Sequence, residues 1–514
     1  MQVDLVIVGS GFGGSVMAMV ARRMGLSVVL LEQGRHPRMA IGESTTPLSN
    51  LLLERISASY DLPRLAPLAK WGSWQGAYPQ IACGLKRGFS FFCQAERLLV
   101  AASPRDEVAD THWYREEVDH FLVIEAQSLG VEYFECVRIE DLFFTEEEAV
   151  VGGRAGDKPF RLRARLLIDA TGPRGFLHRS LQLPESALPG MPLTESSYSH
   201  FTGVARTAGS GDTFPYPVDE AAVHHVFDGG WVWVLRFNNG VTSAGVAATQ
   251  AVAAELRLSE GEPAWRRLLG RLPALRSQFE HAVPCQPFRH MPATSFRGRT
   301  IAGKRWAMLP SAAGFVDPLL STGFTLTLQG IERLAQILQQ GFDSAELSAQ
   351  LQSYAAQTEC DLLSVSRLIG ALYATMGNFS AFTAVSLLYF AAVSFSEAAY
   401  RLGKPGLAPG LLLPSASALL ERAHRLGDGE ETRAFTEEVL RVIEPFNLGR
   451  FGDPALHNQY PVRAEDLLEA SFKLGVDTAE IVAMLERSGF WSKGRETADL
   501  STALPRISCR EPWR

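Results

Sequence analysis

The sequence predicts a mixed α/β fold with three parts: a Rossmann-type dinucleotide-binding domain, an interleaved antiparallel-sheet domain and a helical C-terminal region. Three observations support this prediction. Residues 3–34 read as a strand, a glycine-rich turn, a helix and a second strand. A stretch rich in β-branched and aromatic residues covers about residues 198–250, and it contains the hairpin signal Asn239-Gly240 between two apolar runs. Residues 344–514 carry apolar residues mainly at helical spacing.

The composition is that of an ordinary globular protein. The chain has 514 residues, of which 46% are hydrophobic and 20% are charged. The net charge of −7 gives no reason to expect a nucleic-acid partner. Six cysteines are scattered without a C-x-x-C pair, so we expect neither a metal site nor a disulfide framework. This cysteine usage, together with an N-terminus that lacks a signal-peptide pattern, predicts a cytoplasmic protein.

One apolar segment tests the expectation of a soluble protein. Residues 379–395 carry no charge, but the run has 17 residues and is interrupted by serine and threonine. A membrane-spanning helix needs about 20 predominantly apolar residues. We therefore predict a buried helix rather than membrane contact.

The glycine-rich turn after the first strand has the pattern G-x-G-x-x-G at Gly9, Gly11 and Gly14. Gly9 allows the tight turn, Gly11 lets the backbone approach a pyrophosphate, and Gly14 allows close packing of helix on strand. The free N–H groups of the helix start then face the phosphates. The predicted cofactor-binding residues of this turn are Gly9, Gly11, Phe12, Gly13 and Gly14.

The dinucleotide is predicted to be FAD. Glu32 ends the second strand, 18 residues after Gly14, where it can accept a hydrogen bond from a ribose hydroxyl. The stretch LLIDATGPRG at 166–175, with Ala170 and Gly172 after an apolar strand, resembles the second nucleotide-proximal strand of FAD-dependent monooxygenase-type enzymes. Arg115 begins an Arg-x-x-x-Asp pattern that also resembles this superfamily. Contact with the flavin dinucleotide and a solvated helix charge both remain open for Arg115.

The loop IGESTTP at 41–47 resembles the G-E-x-x-x-P loop of the flavin-dependent halogenases, which lies against the isoalloxazine ring. Glycine and small hydroxyl residues suit a loop whose backbone touches a flat ring. This resemblance assigns cofactor contacts to Gly42, Glu43, Ser44 and Thr45. An ordinary surface loop rich in serine and threonine is the alternative.

The segment AAGFVDPLLSTGFTL at 312–326 resembles the family segment that binds halide beside the flavin. The resemblance places chloride or bromide at Ser321, Thr322 and Gly323, and cofactor contacts at Gly314 and Asp317. Successive N–H groups at a helix start make a suitable anion site. A simple helix N-cap by Ser321 or Thr322 would give the same sequence pattern.

Two departures refine the resemblance. Pro310-Ser311 stands where many flavin hydroxylases carry Gly-Asp, which favours the halogenases. Leu320 stands where tryptophan halogenases carry a glutamate before Ser-Thr-Gly. The pattern therefore resembles the branch that acts on phenolic, pyrrolic or carrier-bound substrates.

The stretch WVWVLRF at 231–237 partly resembles the family motif Trp-x-Trp-x-Ile-Pro, with Leu235-Arg236 in place of Ile-Pro. In a strand, Trp231, Trp233 and Leu235 share one face and Arg236 points to the other. We expect the two tryptophans in the substrate pocket. An aromatic core strand is the alternative.

The stretch KRGFSF at 86–91 matches the family pattern Lys-x-Gly-x-x-Phe, in which the lysine is catalytic. Strand alternation predicts that Lys86, Gly88 and Ser90 share a face, with Arg87 and Phe89 on the other. Gly88 would leave space for a substrate ring, and Ser90 would be a polar contact. Burial of Lys86 would lower its pKa, and a solvated position at a strand edge is the alternative. Arg87 is expected to be a solvated or structural charge.

The resemblance covers about residues 3–345 and implies an enzyme that uses reduced FAD (FADH2), O₂ and halide to form hypohalous acid. Lys86 would relay the halogen to a small electron-rich aromatic substrate, free or carrier-bound. Because a second nucleotide motif is missing, a separate flavin reductase is expected to supply FADH2. The alternatives are an FAD-dependent hydroxylase, a geranylgeranyl-reductase-like enzyme, or a non-catalytic flavoprotein that contacts lipid through 379–395.

The sequence also predicts a domain layout. The expected FAD-binding segments are about 1–50, 95–185 and 285–345, the substrate sheet 51–94 and 186–284, and the helical region 346–514.

Overall fold

The computed structural model describes residues 1–207, 214–342 and 344–491. Its strands are β1 (Gln2–Val8), β2 (Val28–Leu31), β3 (Cys83–Lys86), β4 (Gly88–Cys93), β5 (Glu96–Ala101), β6 (Asp110–Trp113), β7 (Glu132–Phe134), β8 (Val137–Phe144), β9 (Ala149–Ala155), β10 (Lys158–Asp169), β11 (Glu185–Ser186), β12 (Thr194–Thr202), β13 (Ala222–Phe227), β14 (Gly230–Arg236), β15 (Thr242–Thr249), β16 (Val283–Pro284), β17 (Arg289–Met291), β18 (Phe296–Gly298), β19 (Ala302–Gly303), β20 (Trp306–Met308), β21 (Gly314–Phe315) and β22 (Gln459–Tyr460).

Its helices are α1 (Phe12–Arg23), α2 (Pro47–Ser59), α3 (Trp71–Ala77), α4 (Arg115–Ser128), α5 (Phe176–Ser180), α6 (Gln250–Leu256), α7 (Glu262–Arg271), α8 (Pro273–Gln278), α9 (Pro310–Ala313), α10 (Thr322–Gln340), α11 (Ser344–Thr375), α12 (Phe379–Arg401), α13 (Ser417–Ala423), α14 (Glu430–Ile443), α15 (Ala464–Glu469) and α16 (Thr478–Ser488).

The first sheet is the predicted Rossmann-type sheet, and the mixed α/β prediction is confirmed. Its strands run in the order β19-β20-β10-β1-β2-β7, with β1 parallel to both β10 and β2. The apolar run of β1 is buried because helices cover the parallel strands. The antiparallel strands β8 and β9 extend the sheet beside β10. This order places the β1–α1 turn beside the end of β10.

The second sheet has nine strands and is mainly antiparallel, in the order β16-β12-β15-β14-β13-β4-β5-β22 with β17 beside β12. The predicted hairpin joins β14 to β15, and Gly240 in its turn has a φ of +81°. Two pairs are parallel, β13 with β4 and β22 with β5. A separate two-stranded sheet pairs β3 with β6, and a three-stranded one joins β11, β18 and β21.

The predicted segment boundaries differ from this strand assignment at three places. β5 lies in a segment assigned to FAD binding but pairs with β4, because a hairpin continues the sheet past residue 94. β17 likewise joins the nine-stranded sheet through β12. The C-terminal region, which was expected to be mostly helical, contributes β22 to the same sheet. The division into domains otherwise stays a prediction.

The apolar segment 379–395 forms most of α12, which is the one helix in the described ranges that is long and apolar enough to span a membrane. In this fold, 83% of its most apolar window is buried. Its Phe390 and Phe382 rings contact Phe89 and Phe91 of β4 at centroid distances of 5.3 and 5.7 Å. The helix is therefore a core helix that covers the nine-stranded sheet.

Candidate functional site

The β1–α1 turn opens on a cavity of about 1260 Å³, called here the first cavity. Four of the five predicted turn residues line it: Gly9, Gly11, Phe12 and Gly13. Gly9 has a φ of +99°, and a Cβ on it would lie 2.7 Å from the backbone of Ala170. A Cβ on Gly14 would lie 1.9 Å from the Gly9 carbonyl oxygen. Gly14 is therefore a packing residue of the turn and is not among the residues that line the cavity, which corrects its predicted place among the cofactor contacts.

Glu32 lines the first cavity directly after β2. Its carboxylate accepts hydrogen bonds from Ser10 N and Oγ (3.1 and 2.8 Å) and from Gly34 N (2.8 Å), and it pairs with Arg38 at 3.0 Å. Burial raises the pKa of Glu32, but Arg38 and these hydrogen bonds outweigh that effect and lower it. Glu32 is thus an ionised acceptor at the cavity wall. Its contact with a ribose stays a prediction.

Arg115 ties the loop 41–45 to α4. Its guanidinium donates to both carboxylate oxygens of Asp119 at 2.8 and 2.9 Å. It also donates to the carbonyl oxygens of Ile41 (3.0 Å) and Gly42 (2.8 Å). Arg115 is 6% exposed and lines the first cavity. The alternative hypothesis, that Arg115 is a solvated charge on the helix surface, is therefore wrong. A close glycine turn, an acid at a strand end and a buried arginine together fit a dinucleotide such as FAD.

The residues of the loop 41–45 do not all line the first cavity. Gly42, Glu43 and Ser44 line the first cavity, but Thr45 does not. Glu43 Oε1 forms a hydrogen bond of 2.8 Å with Nε2 of His200, a partner that the sequence did not indicate. The carbonyl of Thr45 accepts a hydrogen bond from Lys86 Nζ instead. Thr45 is therefore removed from the predicted cofactor contacts.

The remaining predicted cofactor residues also line the first cavity: Ala170, Gly172, Gly314 and Asp317. Asp317 belongs to a buried chain of hydrogen bonds. Trp231 Nε1 donates to Tyr373 Oη at 3.2 Å, and Tyr373 donates to Asp317 Oδ2 at 2.9 Å. Burial raises the pKa of Asp317 to about 7. Tyr373, from α11, links the tryptophan strand to the segment before the predicted halide loop.

Ser321, Thr322 and Gly323 all line the first cavity, where α10 begins. Leu320 and Ser321 have left-handed backbones, with φ of 65° and 55°. Ser321 precedes the helix but makes no side-chain capping hydrogen bond. Tyr389 of α12 donates to the Leu320 carbonyl at 3.0 Å and holds this bend. The first N–H groups of α10 thus remain available to an anion at the cavity wall.

Strand β14 presents its aromatic face to the first cavity. Trp231, Trp233 and Leu235 line the cavity, as alternation predicts. Arg236 points to the other side, where it donates to the carbonyl oxygens of Val204 and Ala205 at 2.9 and 2.5 Å. The two tryptophans are 1% and 5% exposed.

Lys86 closes β3 and is fully buried. Its Nζ donates to the carbonyl of Thr45 and lies 3.9 Å from the ring centroid of Phe89. Burial lowers the pKa of Lys86 to about 7, against the opposing effect of Asp110. The structure therefore agrees with the predicted lowering of the Lys86 pKa. The alternative, in which Lys86 is a solvated residue at a strand edge, is wrong.

The predicted neighbours of Lys86 are wrong because the strand is broken at Arg87. β3 ends at Lys86 and β4 begins at Gly88, in different sheets, so alternation does not carry across the break. A Cβ on Gly88 would lie 2.2 Å from the Val100 carbonyl oxygen, so no substrate space exists there. Phe89, expected on the opposite face, is the residue that contacts Lys86.

The predictions for Ser90 and for Arg87 have different outcomes. Ser90 is fully buried, and its hydroxyl donates to the Val218 carbonyl at 3.1 Å, so it lines neither cavity of this site. It is therefore withdrawn as a substrate contact. Arg87 is the structural charge that was expected, since it donates to Asp106 (2.6 Å) and to the Pro104 carbonyl (2.8 Å).

A second cavity, of about 120 Å³, lies between β4 and the C-terminal region. Its walls include Phe89 together with Tyr389 and Phe390 of α12. Ser44 lines the first cavity and Thr46 lines the second, and the intervening Thr45 holds Lys86. Lys86 itself lines neither cavity, and its contacts with Thr45 and with Phe89 place it between the two.

Asp110 is a residue of this site that the sequence did not indicate. It lies directly opposite Lys86 in the β3–β6 pair, 24 positions along the chain. Asn50 Nδ2 donates to its Oδ1 at 2.8 Å. Burial raises the pKa of Asp110 to about 7, while Lys86 acts in the other direction. Only the long-range pairing of β3 with β6 brings this carboxylate to the lysine.

Comparisons with known proteins agree with this geometry. The family model described as tryptophan halogenase matches residues 110–381, and that of the NAD(P)-binding Rossmann-like domain matches residues 7–52. The chain is 28% identical over 381 residues to tetracycline 7-halogenase of Kitasatospora aureofaciens, covering 70% of this chain and 67% of the relative. It is 27% identical over 381 residues to the monodechloroaminopyrrolnitrin halogenase PrnC of Pseudomonas fluorescens, covering 70% and 65%.

A third relative acts on a carrier-bound pyrrole. It is the 1H-pyrrole-2-carbonyl peptidyl-carrier-protein chlorinase of Pseudomonas fluorescens, 26% identical over 333 residues, covering 63% of this chain and 73% of the relative. Among solved structures, the halogenase PltM in complex with phloroglucinol and FAD has a TM-score of 0.77 at 24% identity, covering 89% of this chain and 98% of that one. The brominase Bmp2 has a TM-score of 0.62 at 19% identity, covering 83% and 98%. These two structures share the fold.

Proposed function

Because the chain belongs to the tryptophan halogenase family and is an FAD-dependent halogenase, we propose that Lys86 relays halogen from the first cavity to an electron-rich aromatic ring in the second cavity. The observation that carries this proposal is the position of Lys86. It is buried, has a lowered pKa, and lies in the wall between the first cavity and the apolar second cavity.

FAD would be held in the first cavity by the turn at Gly11, by Glu32 and by Arg115. Once reduced, the bound cofactor would supply hypohalous acid from oxygen and halide, and this site would direct that acid toward the substrate. Halide would lie at Ser321, Thr322 and Gly323, which line the first cavity where α10 begins and where the first N–H groups of a helix have no intrahelical partner. The buried walls separate the oxidant from bulk water and from the oxidisable residues of the chain.

The relay needs a neutral amine. With a pKa of about 7, a large fraction of Lys86 is uncharged at neutral pH, whereas an ordinary lysine with a pKa near 10.4 is almost entirely charged. The amine nitrogen takes halogen from hypohalous acid, so an N–X bond forms, the X–O bond breaks and water leaves. An aromatic carbon then takes the halogen, and the amine is regained as the ring loses its proton.

The second cavity would hold the ring. Its volume is close to that of an apolar cavity of about 150 Å³ that accepts benzene. The rings of Phe89 and Phe390 give it an apolar wall, and Phe89 lies against Lys86 Nζ. These dimensions favour a single phenol or pyrrole ring, presented free or by a carrier protein, as in the carrier-dependent relative.

The test uses purified protein with FAD, a flavin reductase, NADH, halide, and a panel of phenols, free pyrroles and carrier-bound pyrroles. Product is read by mass spectrometry, and escaping hypohalous acid is read with a small diffusible trap. Lys86→Ala should lose the halogenated product but still form trapped hypohalous acid. Lys304→Ala, which removes an exposed lysine, is the matched control and should behave as wild type. A Lys86→Ala enzyme that halogenates at the wild-type rate would overturn the proposal.

We also propose that a separate reductase supplies the reduced flavin and that the enzyme works in the cytoplasm. The single glycine-rich nucleotide motif supports the first statement. The five cysteines within the described ranges are all free, which suits a reducing compartment. Omitting the reductase should abolish product, whereas direct consumption of NADPH by the purified protein would favour a flavin hydroxylase.

A further inference from the structure

A charged pair of side chains from α12 lies in the wall of the second cavity. Glu397 and Arg401 both line this cavity, and Glu397 is the one carboxylate among the described residues of its wall. Most of the other lining side chains are apolar, such as those of Phe89 and Phe390. A charged group in an apolar wall is costly to bury unless its polar atoms find partners. The partners of Glu397 therefore indicate what this cavity can bind.

The carboxylate of Glu397 has one engaged oxygen and one free oxygen. Arg401 Nε donates to Glu397 Oε1 at 2.8 Å, and Arg401 Nη1 donates to Glu54 at 3.3 Å. Burial lowers the pKa of Arg401, but Glu397 and Glu54 outweigh that effect and raise it, so the guanidinium stays charged. Glu397 Oε2 accepts no hydrogen bond from any described residue. Because the Glu397 side chain is only 13% exposed, a ring that fills the cavity would have to supply the missing donor.

The geometry of α12 directs the Glu397 carboxylate along the cavity. Phe390, Val393 and Glu397 line the cavity at helical spacing, so they lie on one face of the helix. Side chains on a helix lean toward its N-terminus, which brings Glu397 back over the turn of Val393. Phe390 contacts Phe89, whose ring centroid lies 3.9 Å from Lys86 Nζ. A ring in the cavity would thus lie between the carboxylate and the side of the wall that holds the lysine.

The hydroxyl groups of the cavity wall are already hydrogen-bonded within the protein. Tyr389 donates to the Leu320 carbonyl at 3.0 Å, and Ser394 donates to the Phe390 carbonyl at 2.7 Å. The other two are Thr46 Oγ1 and Tyr460 Oη, which accept from the backbone N–H groups of Ser49 and Gly452 at 3.2 and 3.0 Å. The free oxygen of Glu397 is therefore the strongest unused side-chain acceptor among the described residues of the wall. An acceptor of this kind favours a ligand that carries an O–H or N–H donor.

We propose that Glu397 selects the substrate by accepting a hydrogen bond from the ring's own O–H or N–H, so that the second cavity takes phenols and pyrroles and rejects hydrocarbon rings of the same shape. This inference rests on the proposed function, which places the aromatic ring in this cavity. The same O–H or N–H group makes the ring electron-rich, so the contact matches binding to reactivity. As the ring takes halogen it becomes more positive and its donor more acidic, so the hydrogen bond to the carboxylate strengthens in the transition state.

The test measures binding to the FAD-loaded protein without reductant, so that no hypohalous acid forms. Two ligand pairs match in shape and differ in the donor: phenol with toluene, and pyrrole with furan. In Glu397→Gln the amide oxygen can keep the contact with Arg401, which leaves an NH₂ donor where the free oxygen was. The ratio of the toluene and phenol dissociation constants should fall about tenfold or more from wild type to this variant, and the furan and pyrrole ratio should fall likewise. Unchanged ratios in Glu397→Gln would overturn the inference.

Two further variants control this measurement. Glu54→Gln is the matched control because Glu54 shares Arg401 with Glu397 but does not line the second cavity. It should leave both ratios at their wild-type values, and a fall equal to that in Glu397→Gln would overturn the role of the free oxygen. Val393→Phe, which fills the cavity, should weaken the binding of phenol and toluene alike. Unchanged binding in Val393→Phe would place the ring elsewhere and contradict the proposed ring site together with this inference.

A measurement on the wild-type protein covers the case in which Glu397→Gln does not fold. A fluorinated phenol is bound at the pH at which half of the free ligand is ionised, and ¹⁹F NMR reads the protonation state of the bound ligand. Next to the Glu397 carboxylate the bound ligand should be the neutral phenol, because a like charge disfavours the phenolate. A bound phenolate, which Arg401 or Arg463 would favour, would overturn the inference. Because these readouts measure binding, failure of the lysine relay is recognised separately, from the Lys86→Ala assay.

Discussion

The lowered pKa of Lys86 predicts a steep dependence of halogenation on pH. Only the neutral amine accepts halogen, and raising the pH removes the proton, so the rate should rise with pH through the pKa of about 7. With that pKa, the neutral fraction is about 0.9 at pH 8 and about 0.01 at pH 5, a change of about 90-fold. A lysine with an ordinary pKa near 10.4 would be neutral in only about 1 molecule in 2500 at pH 7.

The assay compares two quantities at each pH between 5 and 8. Initial rates of product formation are divided by the amount of hypohalous acid that a diffusible trap detects, which removes the pH dependence of the reductase and the flavin. Retained FAD and the circular dichroism spectrum show that the protein stays folded. A ratio that stays flat over this range, or that keeps rising about tenfold per pH unit up to pH 8 without levelling off above pH 7, would refute the reasoning from burial.

Two further substitutions test the packing around the site. Gly88→Ala should destabilise the protein by about 1–3 kcal/mol or more, because the new Cβ would lie 2.2 Å from the Val100 carbonyl oxygen. Thermal unfolding compares it with Gly76→Ala, whose Cβ meets no atom within 4 Å, and equal stability of the two variants would contradict this reading. Tyr373→Phe should cost about 1.5–3 kcal/mol, since its hydroxyl donates to the buried Asp317 carboxylate at 2.9 Å. It should also weaken chloride protection against thermal unfolding, and an unchanged chloride dependence would argue against a link to the halide loop.

The local parts of the site could be read from the sequence. The glycine turn at Gly9 and the acid at Glu32 lie within one strand–turn–helix–strand unit, so their spacing fixes their relative positions. The face shared by Trp231 and Trp233 follows from alternation along an unbroken strand. The buried position of Lys86 was expected from the family resemblance of its motif.

The remaining parts depend on contacts that no local pattern encodes. Alternation fails between Lys86 and Phe89 because Arg87 interrupts the strand and the chain enters another sheet. Asp110 is brought to the position opposite Lys86 only by the pairing of β3 with β6. Tyr373 reaches Asp317 from a helix that lies almost entirely beyond the predicted flavin-binding segments.

The most direct test of the relay follows the halogen itself. The FAD-loaded enzyme is given one equivalent of reducing power and labelled chloride without an aromatic substrate, and its peptides are then mapped by mass spectrometry. A relay through Lys86 predicts label on the peptide that contains this lysine, and transfer of the label to product when a phenol or pyrrole is added. Formation of labelled product from an enzyme that never carries label at Lys86, at the rate of a normal turnover, would contradict it.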